Sequence, residues 1–327
     1  MGIRMATDDC VSYFLKGDDV RFQKSMGWAM QPQFPLYIPS KGRWDVRHTS
    51  EALHKMGQEH YMIIEAQEYE DYKNSVSSST ELLVLDPIYQ EQYDTCDDLG
   101  STKSKGPGAA RNFAWDHSIK NGFAWHWVMD DNIKHFKRLN KNKKYRVDDP
   151  SIFAAMEDFC LRYENIAMAG PFYESFVPER WKFPPFITNT RIYSCNLIRN
   201  DVPYRWRGRY NEDTDLSLRM LKDRWCTVQF YAFMQSKMVT QSVKGGNTKE
   251  FYQREGTLAK SKMQVGLHPD VSRLVIKYGR WHHYVDYSGF KQKLKRKEDI
   301  EIPAGTNDYG MVFQKLDNDK WVNIAVE

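Results

Sequence analysis

The sequence predicts an α/β fold: a mostly parallel sheet flanked by helices on both faces. Two observations carry this expectation. Apolar runs of 5–7 residues, the length of strands, recur through the first half of the chain. Amphipathic stretches of helical spacing separate them, and the order strand, helix, strand, helix is the one a covered parallel sheet requires. With 327 residues, 41% of them apolar and 28% charged, the chain can bury a sizeable core as one large domain or two smaller ones.

Residues 1–33 are polar and irregular and read as a lead-in segment. "FPLYI" (34–38) is the first strand and ends at the turn signal "PSKGR"; "YMIIEA" (61–66), "ELLVL" (81–85) and "FAWHWVM" (123–129) are the next three. Between them lie the helical stretches 49–57, 67–75 and 108–122. The last aligns Ala110, Phe113, Ala114 and Trp115 along one side and closes at Gly122, a glycine suited to the position just past a helix end. "DDPSIFAAMEDFCLRYEN" follows, with Ile152, Phe153, Met156, Phe159 and Cys160 at helical spacing, Asp149 as N-cap and Pro150 in the first turn. A strand over 190–200, a helix over 212–224 and a strand over 226–234 complete a core of residues 34–245. From 246 to 327 the chain is polar and mixed, a C-terminal lid and acceptor-binding or basic extension. Its stretch 291–305 is open to three readings: basic helix, charged linker or extended arm.

Several classes are disfavoured. The five cysteines are odd in number and widely spaced with no C-x-x-C pair, which argues against a disulfide framework or a cysteine zinc site and for a reducing compartment. No secretory h-region and no run of about 18 apolar residues is present, so a cytoplasmic protein with no membrane partner is expected. A net charge of +4 is too small by itself to indicate nucleic-acid binding. The aromatic share of 14% suits stacking on sugars or bases as well as plain core filling.

In an open parallel sheet, ligands bind beyond the carboxyl ends of the strands. The residues there are Ser40, Lys41 and Arg43, then Glu65, then Asp86, then Asp130, Asp131 and Asn132, a strongly acidic rim. Adjacent carboxylates repel unless a cation neutralises them, and Mg²⁺ or Mn²⁺ commonly binds through one or two carboxylates plus substrate phosphates. The same three residues are also ordinary for a strand exit. "GPGAARN" opens a helix with Arg111 and Asn112 in its first turn, where backbone N–H groups and the dipole favour an anion. "GRYNEDTDLSLRML" puts Glu212 and Asp213 at a helix start with Asp215 a turn further in. That is either an acidic cap or a general base delivered to the site. Basic runs at 137–146, 204–210 and 291–297 interleave Lys and Arg with aromatic residues, as a surface that tracks phosphates and stacks bases does, although solvated faces give the same pattern. "KGGN" (244–247) with Lys249, Lys260 and Lys262 has the composition of a loop that closes over a diphosphate, or of a flexible surface loop.

Taken together, the strand ending near "PSKGR", the "GAARN" helix, the "VMDDN" strand end and "NEDTDLSLR" resemble the GT-A type nucleotide-sugar glycosyltransferases. The wording between them is most like the phage TET-associated glycosyltransferases, which are linked to hypermodified DNA. The resemblance implies a UDP-sugar donor, a Mn²⁺ or Mg²⁺ ion and, as acceptor, DNA containing a hydroxymethylated pyrimidine. In that family pattern Glu65 faces the base, Ser40 and Arg43 flank the nucleotide, and Arg111 with Asn112 approaches base or phosphates. Asp130 meets the ribose or a metal-bound water, and Asp131 ligates the ion. Asn132 stands where the last acid of the DxD motif is usual; an amide is a poor sole ligand for a hard cation, which favours Asp131. Asp213 is the base, Glu212 binds or orients the acceptor, and His268 is the candidate for the family's late metal-binding histidine, ahead of His282 and His283. A glycan, lipid or protein acceptor, and a non-catalytic nucleotide- or nucleic-acid-binding module, are the competing readings.

Overall fold

A computed structural model describes residues 11–15, 31–99, 105–140, 143–179, 184–238, 257–300, 311–317 and 320–323. Along the chain the elements are β1 (Val11–Leu15), β2 (Leu36–Pro39), α1 (His48–Lys55), β3 (His60–Ile64), α2 (Tyr69–Lys73), β4 (Thr80–Val84), α3 (Pro87–Glu91), α4 (Gly108–Lys120), β5 (Trp125–Met129), β6 (Ile133–Asn140) and β7 (Lys143–Val147). They continue with α5 (Ser151–Leu161), β8 (Ile166–Tyr173), β9 (Phe186–Thr188), β10 (Cys195–Arg199), α6 (Glu212–Lys222), β11 (Cys226–Lys237), α7 (Leu258–Leu267), β12 (Ser272–Lys277), β13 (Arg280–Val285), β14 (Met311–Asp317) and β15 (Lys320–Asn323).

The central sheet has the order β4-β3-β2-β5-β10-β8-β11-β6-β7, with β9 also on β11. Its first four strands are parallel. Beyond β5 the pairings alternate, but β8 and β11 are parallel to each other and, two reversals removed, run the same way as β5. The result is the mostly parallel α/β sheet the sequence predicts, with β6, β9 and β10 reversed.

Both faces are covered, which is why β2, β3 and β5 read as near-continuous apolar runs. On one face Leu36, Ile38, Met62, Trp127 and Met129 pack with Leu53 of α1 and with Phe153, Met156 and Phe159 of α5. On the other, Val128, Met168 and Ile198 pack with Ala109 and Trp115 of α4 and Leu216 and Met220 of α6. Gly170 lets β8 lie against β10: a Cβ there would sit 2.1 Å from the Cys195 carbonyl oxygen.

Helix boundaries follow the expected signals. Asp149 Oδ1 accepts from Ser151 N at 2.8 Å, so Asp149 caps α5, while Pro150 takes the capping backbone position rather than the first helical one. Gly122 adopts φ 78° just past α4. Three features differ from expectation, and a fourth, left open by the sequence, is decided. The strand predicted over 190–200 begins only at Cys195, because Ser194 adopts positive φ and breaks the run. β6, β7 and β8 were not anticipated. The lead-in read as irregular contributes β1, which pairs with β14 of the extension. Of the three readings of 291–305, residues 291–300 follow the extended one: Lys295 and Lys297 exchange backbone hydrogen bonds with Glu164 and Arg162. Among the described residues no helix is long and apolar enough to cross a membrane, and Cys96, Cys160, Cys195 and Cys226 are free thiols.

One buried acid ties α5 to β5 and to the segment that leads into β2. Glu157 accepts from Trp127 Nε1 at 2.7 Å and from the Gln33 backbone N–H at 2.6 Å. Burial outweighs these bonds and pushes its pKa up to about 7. The folded protein therefore keeps a proton that the unfolded chain releases near its ordinary value of 4.5. Stability from this group is present below that value and declines as pH rises toward 7, by about 3 kcal/mol if it acts alone. Urea midpoints of the wild type are expected to fall over that pH range. Those of Glu157→Gln should show a shallower dependence, at a cost of about 1–3 kcal/mol for the N–H group its amide nitrogen cannot satisfy. Identical pH profiles would refute the assignment.

Candidate active site

Strand polarity decides what meets at the rim. β2, β3, β5, β8 and β11 all end on the same edge, and they deliver Ser40, Glu65, Asp130, Tyr173 and Lys237 there. β10, running the other way, begins at this edge and brings Ser194. The N-termini of α4 and α6 add Arg111, Glu212 and Asp213, and the groups line a cleft of about 680 Å³, the size of a small-molecule site.

The Asp130–Asn132 turn is held by α1. Thr49 Oγ1 donates to the Asp130 carbonyl at 2.5 Å and accepts from Ile133 N at 2.9 Å. Asp130 Oδ1 receives Arg111 at 2.7 Å, and its Oδ2 receives Lys237 at 2.5 Å. Burial works against ionisation, but the two cations hold the carboxyl far below the usual carboxylate range. Asp131 faces the other way. It pairs with Arg43 and accepts from Ser40 Oγ at 3.0 Å, and burial together with Asp130 beside it raises its pKa. Tyr72 braces this corner by bonding both Ser40 Oγ (2.8 Å) and Arg43 N (3.1 Å). The buried side-chain oxygen of Asn132 has no hydrogen-bond partner among the described residues. At the far side of the cleft Glu65 accepts from Lys41 and Gln90, both at 2.9 Å; these bonds outweigh burial and lower its pKa.

The opposite wall is the start of α6. Asn211 takes a left-handed conformation, φ 54°, tolerated by asparagine better than by other residues with a Cβ, and so turns the chain into the helix. Glu212 Oε1 accepts from Arg111 at 2.9 Å; burial and neighbouring Asp213 raise its pKa against the pull of Arg111. Asp213 Oδ1 accepts from Thr214 N at 2.7 Å, and its other oxygen has no protein donor among the described residues. Arg111 thus joins α4, β5 and α6, and its guanidinium lies 4.6 Å from the Trp206 ring centre.

Ser40, Arg43, Glu65, Arg111, Asp130, Asp131, Glu212 and Asp213 are therefore together, as the sequence led us to expect. Two expected members are not. Asn112 points away from the cleft and clamps the Trp206 backbone, donating to its carbonyl at 2.9 Å and accepting from its N–H at 2.8 Å. His268 is 2% exposed beneath α6 and does not line the cleft. Its Nδ1 accepts from Lys222 at 3.0 Å, which leaves Nε2 as the N–H donor to Asp215 at 2.9 Å, so neither nitrogen is available to a metal. Asp215, 0% exposed, gathers Arg207, Arg219 and His268 and is a structural knot. Lys237, Tyr173 and Ser194 were missed. Lys237 lies three residues past a strand that was recognised; Tyr173 ends β8, whose Gly170–Pro171 pair hid the strand.

The basic runs separate in the structure. Arg205, Arg207 and Arg209 of the second run pair with Asp116, Asp215 and Asp97. Lys293–Lys297 of the third lie beside Glu164 and Asn165, at the start of β8 and hence at the opposite end of the sheet from the cleft. Only the first run, now the β6–β7 hairpin, adjoins the rim. Of the loop read as a diphosphate cover, Lys260 lines the cleft, whereas 244–247 and Lys249 lie outside the described residues.

No curated protein matches the chain. The family model of the TET-associated glycosyltransferases matches residues 34–246, from the first strand of the central sheet past its last, and the chain belongs to that glycosyltransferase family.

Proposed function

We propose that this glycosyltransferase moves a sugar from a nucleotide donor, a UDP-sugar, to the hydroxyl of a 5-hydroxymethylpyrimidine in DNA, in the cytoplasm. The observation that carries the transferase reading is the convergence of Asp213 with the Arg111–Asp130–Lys237 cluster on one rim. Glu65, Ser40 and Arg43 take the nucleoside end of the donor, and Asp130 meets the ribose. Arg111 and Lys237 supply positive charge where the diphosphate leaves, and the N-terminal N–H groups of α4 add to it. The acceptor oxygen attacks the anomeric carbon as the bond from that carbon to the diphosphate oxygen breaks. Asp213 takes the hydroxyl proton, and the electron pair leaves with the diphosphate. Glu212, held by Arg111, orients the acceptor.

The residues fit a divalent cation. Asp131, with Asp130 beside it, and the unpartnered Asn132 side-chain oxygen would hold Mg²⁺ or Mn²⁺ together with phosphate, the carboxylates exchanging one of their present Arg, Lys or Ser partners for the ion. Among the described residues no group of three His, Cys, Asp or Glu side chains that could hold a metal ion occurs, so phosphate oxygens of the donor would have to complete the coordination. Such an ion supplies Lewis-acid neutralisation of charge on the leaving diphosphate.

Asp213→Asn, which keeps the acceptor for Thr214 N, is expected to lower kcat by about 10²–10⁴-fold with donor affinity retained. A loss of only a few-fold would remove Asp213 from the base role. His268→Ala should cost about 1–3 kcal/mol by loosening the Asp215 knot while leaving the Mn²⁺ concentration for half-maximal activity unchanged. A shifted metal requirement would return His268 to the ion. For the DNA acceptor, KM should rise steeply between about 50 and 200 mM salt; a KM indifferent to salt would favour a glycan, lipid or protein acceptor.

A further inference from the structure

The cleft opens beside Tyr173 onto a surface the donor does not need. Tyr173 lines the cleft, its hydroxyl bonded to Ser194 at 2.6 Å. Its ring lies 6.0 Å from that of Phe176 and 4.5 Å from that of Tyr193. Phe176 sits in the 3-10 turn Glu174–Phe176 that follows β8 and is 60% exposed, although Phe172 and Tyr173 pack against its inner side. An exposed phenylalanine alone is unremarkable on a protein surface. The β6–β7 register makes this one different. It sets Lys137 opposite Arg146 and Leu139 opposite Lys144, and directly opposed residues of an antiparallel pair share a face. That face meets the Phe176 turn: Lys137 pairs with Glu174, His135 lies 3.7 Å from the same carboxylate, and Lys144 donates to the Glu174 carbonyl at 2.8 Å. Glu174 and Asp148, the latter pairing with Arg146, are the acids here, and three permanent cations exceed them in charge.

An exposed ring flanked by a stripe of cations, continuous through Tyr173 with the base Asp213, has the chemistry of a strand that alternates heterocycle and phosphate. We propose that Phe176 is a stacking platform for a base adjacent to the modified nucleotide of the acceptor, with Lys144 and Arg146 meeting the neighbouring phosphates. The proposal rests on the nucleic-acid acceptor reading and adds the subsite that holds the strand. Neutral glycan and lipid acceptors have no repeating anionic backbone to match the stripe, and an anionic glycan has no heterocycle to stack on the ring.

The test is steady-state transfer from a UDP-sugar to a single-stranded oligonucleotide carrying one hydroxymethylpyrimidine, beside hydrolysis of the same donor by water. Phe176→Ala should raise KM for the oligonucleotide about tenfold, the loss expected for one stacked base, with kcat and donor hydrolysis unchanged. Phe176→Trp should preserve KM, and Lys144→Ala should flatten the salt dependence by about one charge. Unchanged donor hydrolysis shows that the variants fold. An unaltered KM in Phe176→Ala, with the wild type modifying the oligonucleotide, would overturn the platform and leave the acceptor reading intact. Donor hydrolysis by the wild type without transfer to the oligonucleotide would overturn both.

Discussion

The site depends on one buried guanidinium. Arg111 starts in α4, reaches the end of β5 at Asp130 and the start of α6 at Glu212, and rests on Trp206. An ion network buried this deeply gains little net stability, because desolvating each charge costs several kcal/mol. Its consequence is positional: the three elements that carry the cleft's chemistry cannot shift independently without exposing an uncompensated charge. The neighbouring Asn112 serves the same arrangement from behind. By taking both the N–H and the carbonyl of Trp206, it fixes the ring on which Arg111 lies. The adjacent Arg and Asn of "GAARN" thus have opposite directions and one purpose.

Around that fixed point the sheet distributes two kinds of chemistry. The parallel half, β4-β3-β2-β5, ends in polar side chains that hold one another: Glu65 by Lys41 and Gln90, Asp131 by Arg43 and Ser40. The alternating half ends in aromatic and cationic ones, Tyr173 and Lys237, because β8 and β11 run with β5 in spite of the reversed strands between them. Asp213 lies at the seam. Arg191, Tyr193, Tyr173 and Tyr287 are all near enough for its charge to act on them.

Much of this was legible in the sequence. The short apolar runs located β2, β3, β5 and β11, because strands buried on both faces carry no polar alternation to confuse them, and also β4, a half-buried edge strand. The strand-end acids were found by position alone. What stayed hidden has physical reasons. β8 contains a glycine demanded by close approach to β10, and a strand with Gly-Pro inside it reads as a turn. The β6–β7 hairpin is so rich in Lys and Arg that it reads as a charged loop, yet Ile133, Phe136 and Val147 anchor it in the core. His268 and Asn112 were placed in the cleft because motif spacing fixes a backbone position and says nothing of side-chain direction.

The same limit governs the basic runs and bears on how an acceptor is chosen. Three runs of similar composition had three different fates, and the deciding variable is the supply of nearby carboxylates. In the 204–210 run each arginine found an internal acid, so its charge organises loops around Asp97, Asp116 and Asp215. The 293–297 segment keeps charge exposed, but β8 separates it from the rim by its full length, about 25 Å at strand rise. Only the hairpin combines cations in excess of local acids with contact to the turn that follows Tyr173. A steering field acts through the cations it leaves uncompensated within a Debye length of the site, about 8–10 Å in ordinary salt. By that measure the chain's modest net charge conceals a local asymmetry on the hairpin side of the cleft.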